Sequence, residues 1–239
     1  MKLSSLKTLL LTGAALAALG VSSASAQALI EWNTFGYEES IGGLPPQVAN
    51  YAVVADGVLA SEFQLHGTAQ TNGPVDFYAL TNWSTSVNPD NLSASNYISF
   101  TLTPESGSQI TFDSIEFSTR TSSGAANPKT GLWAYRVDGG DWLIANTWTL
   151  STSSYNSGNI PSFDLNFTTD KTVEFGLWLY GGNSSTGSAR FINSVDGGDY
   201  PGLTVNGTVS AVPEPSTYGL IIGAGLLALM LRRKRLAKA

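Results

Sequence analysis

In the stretch Val173-Glu-Phe-Gly-Leu-Trp-Leu-Tyr180, the residues Val173, Phe175, Leu177 and Leu179 occupy every second position. A period of two is that of a β-strand, whose successive side chains leave opposite faces of the sheet. The constraint on this chain is that the pattern recurs. Ile98, Phe100 and Leu102 alternate, and so do Phe163, Leu165 and Phe167. Ile110 and Phe112 alternate, then slip by one to Ile115 and Phe117, with the polar pair Asp113-Ser114 at the slip, as in a β-bulge. Leu132 to Val137 and Trp142 to Ala145 flank Asp138-Gly-Gly-Asp141, a hairpin signal. Leu203, Val205 and Val209 supply a last strand. No segment of residues 27–211 sustains a helical period. Strands spaced this regularly by Gly, Ser and Asn turns predict an all-β sandwich.

The two ends have a different chemistry. Lys2 and Lys7 precede an apolar stretch from Leu9 to Val21, and Ala24-Ser25-Ala26 forms an A-x-A site. This order predicts a signal peptide over residues 1–26, cleaved between Ala26 and Gln27. At the other end, Pro213-Glu214-Pro215 precedes an uncharged apolar run from Tyr218 to Leu231, closed by the cluster Arg232, Arg233, Lys234 and Arg235. Each proline fixes φ and removes an N–H, so the segment before the run resists helix. The run has 14 residues, about 21 Å as a helix, against a hydrocarbon core of about 30 Å. It predicts a short transmembrane helix over 218–231 that spans only where the bilayer thins and the flanking Arg side chains snorkel. The basic cluster stays cytoplasmic by the positive-inside rule. The body, residues 27–211, is then an extracytoplasmic domain held by its C-terminus.

Together, Pro213-Glu214-Pro215, the apolar helix and the Arg-rich end resemble the PEP-CTERM sorting signal over residues 212–235. The resemblance implies a Gram-negative bacterium that makes exopolysaccharide. It also implies recognition of Pro213, Glu214 and Pro215 by exosortase, a membrane-embedded cysteine transpeptidase-like enzyme, and removal of the helix and basic tail. The protein is then an inner-membrane-tethered precursor that passes to the cell surface or the medium. A second resemblance covers about residues 29–209. Ile98-Ser-Phe-Thr-Leu-Thr-Pro104, Gly107, Ile110-Thr-Phe-Asp-Ser-Ile-Glu-Phe117 and Arg120, with Arg190-Phe-Ile-Asn193 and Leu203-Thr-Val-Asn-Gly-Thr-Val209, look like the jelly-roll domains attached to such tails. Those domains are similar to galactose-binding-like and carbohydrate-binding modules. The insert from Asp196 to Pro201 departs from their pattern.

Residues 27–211 hold five Lys and Arg against 17 Asp and Glu, a balance of −12. Such a domain repels phosphate backbones, which argues against nucleic acid as a partner. The chain has no cysteine, although export permits disulfides, so its fold rests on its core. His66 is the one histidine, and no G-x-S-x-G elbow, zinc-ligand spacing or dinucleotide fingerprint accompanies it. The expectation is therefore a non-catalytic protein of the cell surface or extracellular matrix, associated with exopolysaccharide. A secreted matrix hydrolase, a carbohydrate-binding module and a purely structural coat are the alternatives.

Two features suggest ligands. Val137-Asp-Gly-Gly-Asp-Trp142 recurs 58 residues later as Val195-Asp-Gly-Gly-Asp-Tyr200. Asp and Gly suit turns, and carboxylates in a Gly-rich loop also suit calcium, with Asp196 and Asp199 as the ligands. All six Trp lie within 27–211. Trp133 shares a strand face with Tyr135, and Trp178 shares one with Tyr180, opposite Phe175 and Leu177. One set must leave the main core, which makes Trp133, Trp178 and Tyr180 the candidate sugar-stacking residues.

Overall fold

The computed structural model describes residues 26–32, 34–37, 47–50, 53–70, 77–121, 123–150, 162–192, 194–195, 198–199 and 203–212. In chain order the strands are β1 (Gln27–Trp32), β2 (Thr34–Tyr37), β3 (Gln47–Asn50), β4 (Val53–Val54), β5 (Val58–Ala60), β6 (Gln64–His66), β7 (Ala69–Gln70) and β8 (Phe77–Thr81). A short 3₁₀ segment, Pro89–Ala94, precedes β9 (Tyr97–Pro104), β10 (Ser108–Phe117), β11 (Thr119–Thr121), β12 (Thr130–Val137), β13 (Leu143–Thr149) and β14 (Ser162–Thr169). The rest are β15 (Val173–Tyr180), β16 (Ala189–Ile192), β17 (Ser194–Val195), β18 (Gly198–Asp199) and β19 (Leu203–Ala211).

Two large antiparallel sheets form a β-sandwich. One has the order β14-β10-β19-β1-β4. The other has the order β13-β12-β15-β9-β5, with β6 also paired to β9. A smaller sheet, β11-β16-β8-β7, and the pairs β2-β3 and β17-β18 complete the described strands. The predicted signal peptide, apart from Ala26, and the predicted tail helix lie outside the described residues.

The alternation read in the sequence is what joins the sheets. Phe112, Ile115 and Phe117 of β10 and Leu203 and Val205 of β19 point inward from the first sheet, all fully buried. Phe100, Trp133 and Phe175 meet them from the second. The rings of Phe112 and Phe175 lie 5.4 Å apart, as do those of Phe117 and Trp133. Phe100 is the hub, with Trp32 at 4.6 Å, Phe175 at 5.3 Å, Phe63 at 5.6 Å and Trp133 at 6.2 Å between ring centroids. Edge-on and offset pairs of this kind add about 0.5–1.5 kcal/mol each beyond the area they bury.

Two local devices keep this register. The pairing of β10 shifts between Phe112 and Ser114 against both β14 and β19. This bulge lets Phe112 and Ile115, three positions apart, both face the core. At the β12–β13 hairpin, Asp138 and Gly139 have φ of 52° and 71°, and the Gly140 N–H donates to the Val137 carbonyl at 3.0 Å. Positive φ at both central residues makes a type I′ turn, whose twist matches the strands it joins.

One assignment from the sequence is corrected here. Trp133 belongs to the core between the sheets and is 1% exposed, so its ring faces Phe100 and Phe117 rather than solvent. The Phe100 hub predicts that Phe100→Ala costs about 3–5 kcal/mol, the range for emptying a buried aromatic site. The shift of the chemical-denaturation midpoint measures it; a loss comparable to that of an exposed substitution would contradict this account of the core.

Candidate functional site

The outer face of the six-stranded sheet carries a second, smaller cluster. Alternation along β15 sends Glu174, Gly176, Trp178 and Tyr180 outward, opposite Val173, Phe175, Leu177 and Leu179. Register aligns Leu132, Ala134 and Arg136 of β12 with Trp178, Gly176 and Glu174. On the other side β9 contributes Tyr97 and Ser99, and β6 places His66 opposite Tyr97. Gly176 is needed here: an added Cβ would stand 2.5 Å from Cη2 of Trp178 and 2.9 Å from Cη2 of Trp142. Without it both indoles settle onto the sheet.

The rings form a stack. His66 lies 4.0 Å from Tyr97 with planes 6° apart, and Tyr97 lies 4.6 Å from Trp178 at 17°. Trp142, the residue before β13, stands edge-on to Tyr97 at 5.7 Å and to Trp178 at 4.9 Å. The Arg136 guanidinium sits 4.5 Å above the Trp142 ring, a cation–π contact. Arg136 also donates through Nε to Glu174 Oε2 at 2.7 Å, with Nη2 at 2.6 Å from the same oxygen.

The 3₁₀ segment closes part of this face. Asn88 caps it, its Oδ1 accepting from the Asp90 N–H at 3.1 Å. Leu92 turns inward and is 2% exposed. The Trp178 indole donates to the Leu92 carbonyl at 3.0 Å, and the Trp142 indole donates to Ser93 Oγ at 3.0 Å. Buried indole N–H groups normally find such partners.

This arrangement corrects the sequence assignment of Trp178. Its ring leaves the main core as expected but is fully buried beneath the 3₁₀ segment. Tyr180 is half-buried at the edge of the same cluster. Trp142 and His66, half-buried like Tyr180, also reach solvent at this face. Sequence reading passed over them: His66 is a lone histidine, and Trp142 reads as the residue after a turn. The signal that could have found Trp142 is Gly176, a glycine outward-facing in an otherwise bulky strand.

Of the two Asp-Gly-Gly-Asp copies, the first is the type I′ turn already described. In the second, Asp196 lies outside the described residues and Asp199 is described only as a residue of β18. Among the described residues no three His, Asp or Glu side chains gather as metal ligands. Ala24, Pro213, Glu214, Pro215 and the cluster Arg232 to Arg235 also lie outside them. Ala26 and Gln27 are exposed, with Gln27 the first residue of β1. No helix among the described residues is long and apolar enough to cross a membrane.

Residues 211–235 match the PEP-CTERM protein-sorting motif. This motif marks an exported protein sorted to the cell surface by exosortase. No curated protein matches the chain. Among solved structures, it is similar to the C-terminal domain of a chitobiase from Bacteroides fragilis, at 16% identity and a TM-score of 0.29, over 48% of this chain and 65% of that one. It is also similar to CBM32-3 from a family 31 glycoside hydrolase of Clostridium perfringens, at 9% identity and a TM-score of 0.35, over 64% of this chain and 92% of that one. The chain thus spans just under two thirds of the chitobiase domain.

The stack sets a pH dependence. Burial pushes the His66 pKa below its ordinary 6.5; the Glu174 carboxylate opposes this and the Arg136 charge adds to it. The folded state therefore holds His66 neutral where the unfolded chain would take a proton. The contribution is fully present above pH 6.5 and is lost as pH falls from there toward the folded value. The expectation is that the denaturation midpoint of the wild type falls in mildly acid solution more steeply than that of His66→Gln. Parallel pH profiles would contradict it.

Proposed function

We propose that this is a non-catalytic surface protein, displayed as a jelly-roll-like sandwich domain and associated with exopolysaccharide. Its precursor is tethered to the inner membrane through the segment 218–231 before processing near Pro213-Glu214-Pro215. The observation that carries this reading is that the sorting match starts at Ala211, the last residue of β19. The exported cargo is therefore the sandwich itself, joined to its address without a linker.

The face that best suits a sugar is the outer one, at Trp142 and His66. A pyranose presents a C–H face that packs on an aromatic surface, while its hydroxyls need donors and acceptors nearby. Arg136, Glu174 and the His66 ring supply these within the same face. The acidic balance of the domain also disfavours close approach of polyanions at low salt, which points to neutral polysaccharide.

The test is retention of the purified mature protein on beads carrying extracted exopolysaccharide. Wild-type protein is expected to bind. Trp142→Ala is expected to bind between about twofold and tenfold more weakly, the loss of one aromatic contact of about 0.5–1.5 kcal/mol. Wild-type protein that passes through unretained would overturn the exopolysaccharide reading. Equal retention of both proteins, with matched denaturation midpoints, would move the site off this face.

A further inference from the structure

The last strand is held differently along its length. From Leu203 to Gly207, β19 pairs with β1 on one side and β10 on the other. β1 begins at Gln27, opposite Gly207. From Thr208 onward, among the described residues, β10 alone holds the strand, through Thr208–Thr111, Val209–Ile110, Ser210–Gln109 and Ala211–Ser108. The ladder closes where the Val212 N–H donates to the Gly107 carbonyl at 2.8 Å. Pro213 has no N–H with which to extend it.

Along this end a single side chain, Val209, packs against the core. It fits beside Gly57, where an added Cβ would stand 3.0 Å from Val209 Cγ1. Ala211 and Val212 are exposed, and both belong to the sorting match. Residues 213–217 separate Val212 from the apolar run at Tyr218. Fully extended, they reach at most about 18 Å. A membrane-bound enzyme that engages Pro213-Glu214-Pro215 thus meets the body of the sandwich one residue upstream.

We propose that Thr208–Val212 is a releasable end of β19, and that exosortase takes it together with the motif as one extended substrate. The proposal rests on the sorting reading above. Release lengthens the accessible segment by five residues, about 17 Å. It opens one ladder, one core contact and the hydrogen bond that Gln109 Nε2 donates to Ser210 Oγ at 3.2 Å, and leaves Leu203–Gly207 clasped on both sides, so the domain stays folded while its end is read. Thr208 to Val212 are then recognition residues in addition to the Pro-Glu-Pro segment.

The chain's lack of cysteine makes the test clean. Ser108 and Ala211 are direct cross-strand partners, and such pairs lie within disulfide range. In the full-length protein in its own cells, the double variant Ser108→Cys/Ala211→Cys locks the strand end. Pulse-chase separation of precursor from processed protein is expected to show several-fold slower processing than in either single variant. Adding reductant is expected to restore the rate. A flexible Gly/Ser spacer between Val212 and Pro213 is not, because it leaves Thr208–Val212 in the ladder, and a spacer that restored the rate would overturn their role in recognition. Val209→Ala, which loosens the same end without a crosslink, is expected to be processed faster than wild type. A locked protein processed at the single-variant rate would overturn the proposal, as would a Val209→Ala protein processed no faster than wild type. Unchanged processing of Glu214→Ala/Pro215→Ala would overturn the sorting reading itself, and the proposal with it.

Discussion

The structure depends on an aromatic seam between two sheets. No cysteine is available to staple this chain, so the contacts of Phe100 with Trp32, Phe63, Trp133 and Phe175 tie the strands together without a disulfide. The seam draws on β1, β9, β12 and β15, and through Phe112 and Phe117 on β10. Large rings need matching absences. A Cβ at Gly131 would stand 2.2 Å from the Trp148 ring, and one at Gly176 would collide with Trp178. Each glycine is a position where a neighbouring indole takes the space of a side chain.

That seam also fixes where the rest of the molecule is presented. β9 starts at Tyr97, in the outer-face stack, and ends at Pro104, beside the Glu105–Gly107 turn to which Val212 is bonded. Eight residues of strand separate the two, roughly 25 Å. The aromatic stack and the point where the sorting segment leaves therefore lie toward opposite ends of one strand. A domain held by its tail would carry the stack on the part farther from the attachment.

Much of this was legible in the sequence, for a definable reason. Period-two alternation reports which residues share a face, and Phe112, Ile115, Phe163, Phe175 and Leu177 are buried where it placed them. The bulge was legible because Asp113-Ser114 interrupt the alternation with two polar residues, and the Asp138-Gly-Gly-Asp141 turn because it needs positive φ. Alternation does not report what covers a face. Trp178 points outward as expected, yet it is buried by Leu92, 86 positions earlier in the chain. Nothing local to either residue encodes that contact. Trp133 failed as a surface candidate for the converse reason: its face is the inner one.

The central claim is that the sandwich ends where the sorting segment begins and that the cell parts the two. The most direct measurement is the intact mass and C-terminal peptide of the protein recovered from the cell surface. The account predicts a chain that runs through the end of β19 and stops before Tyr218. A surface form that still carries Arg232 to Arg235 would contradict it.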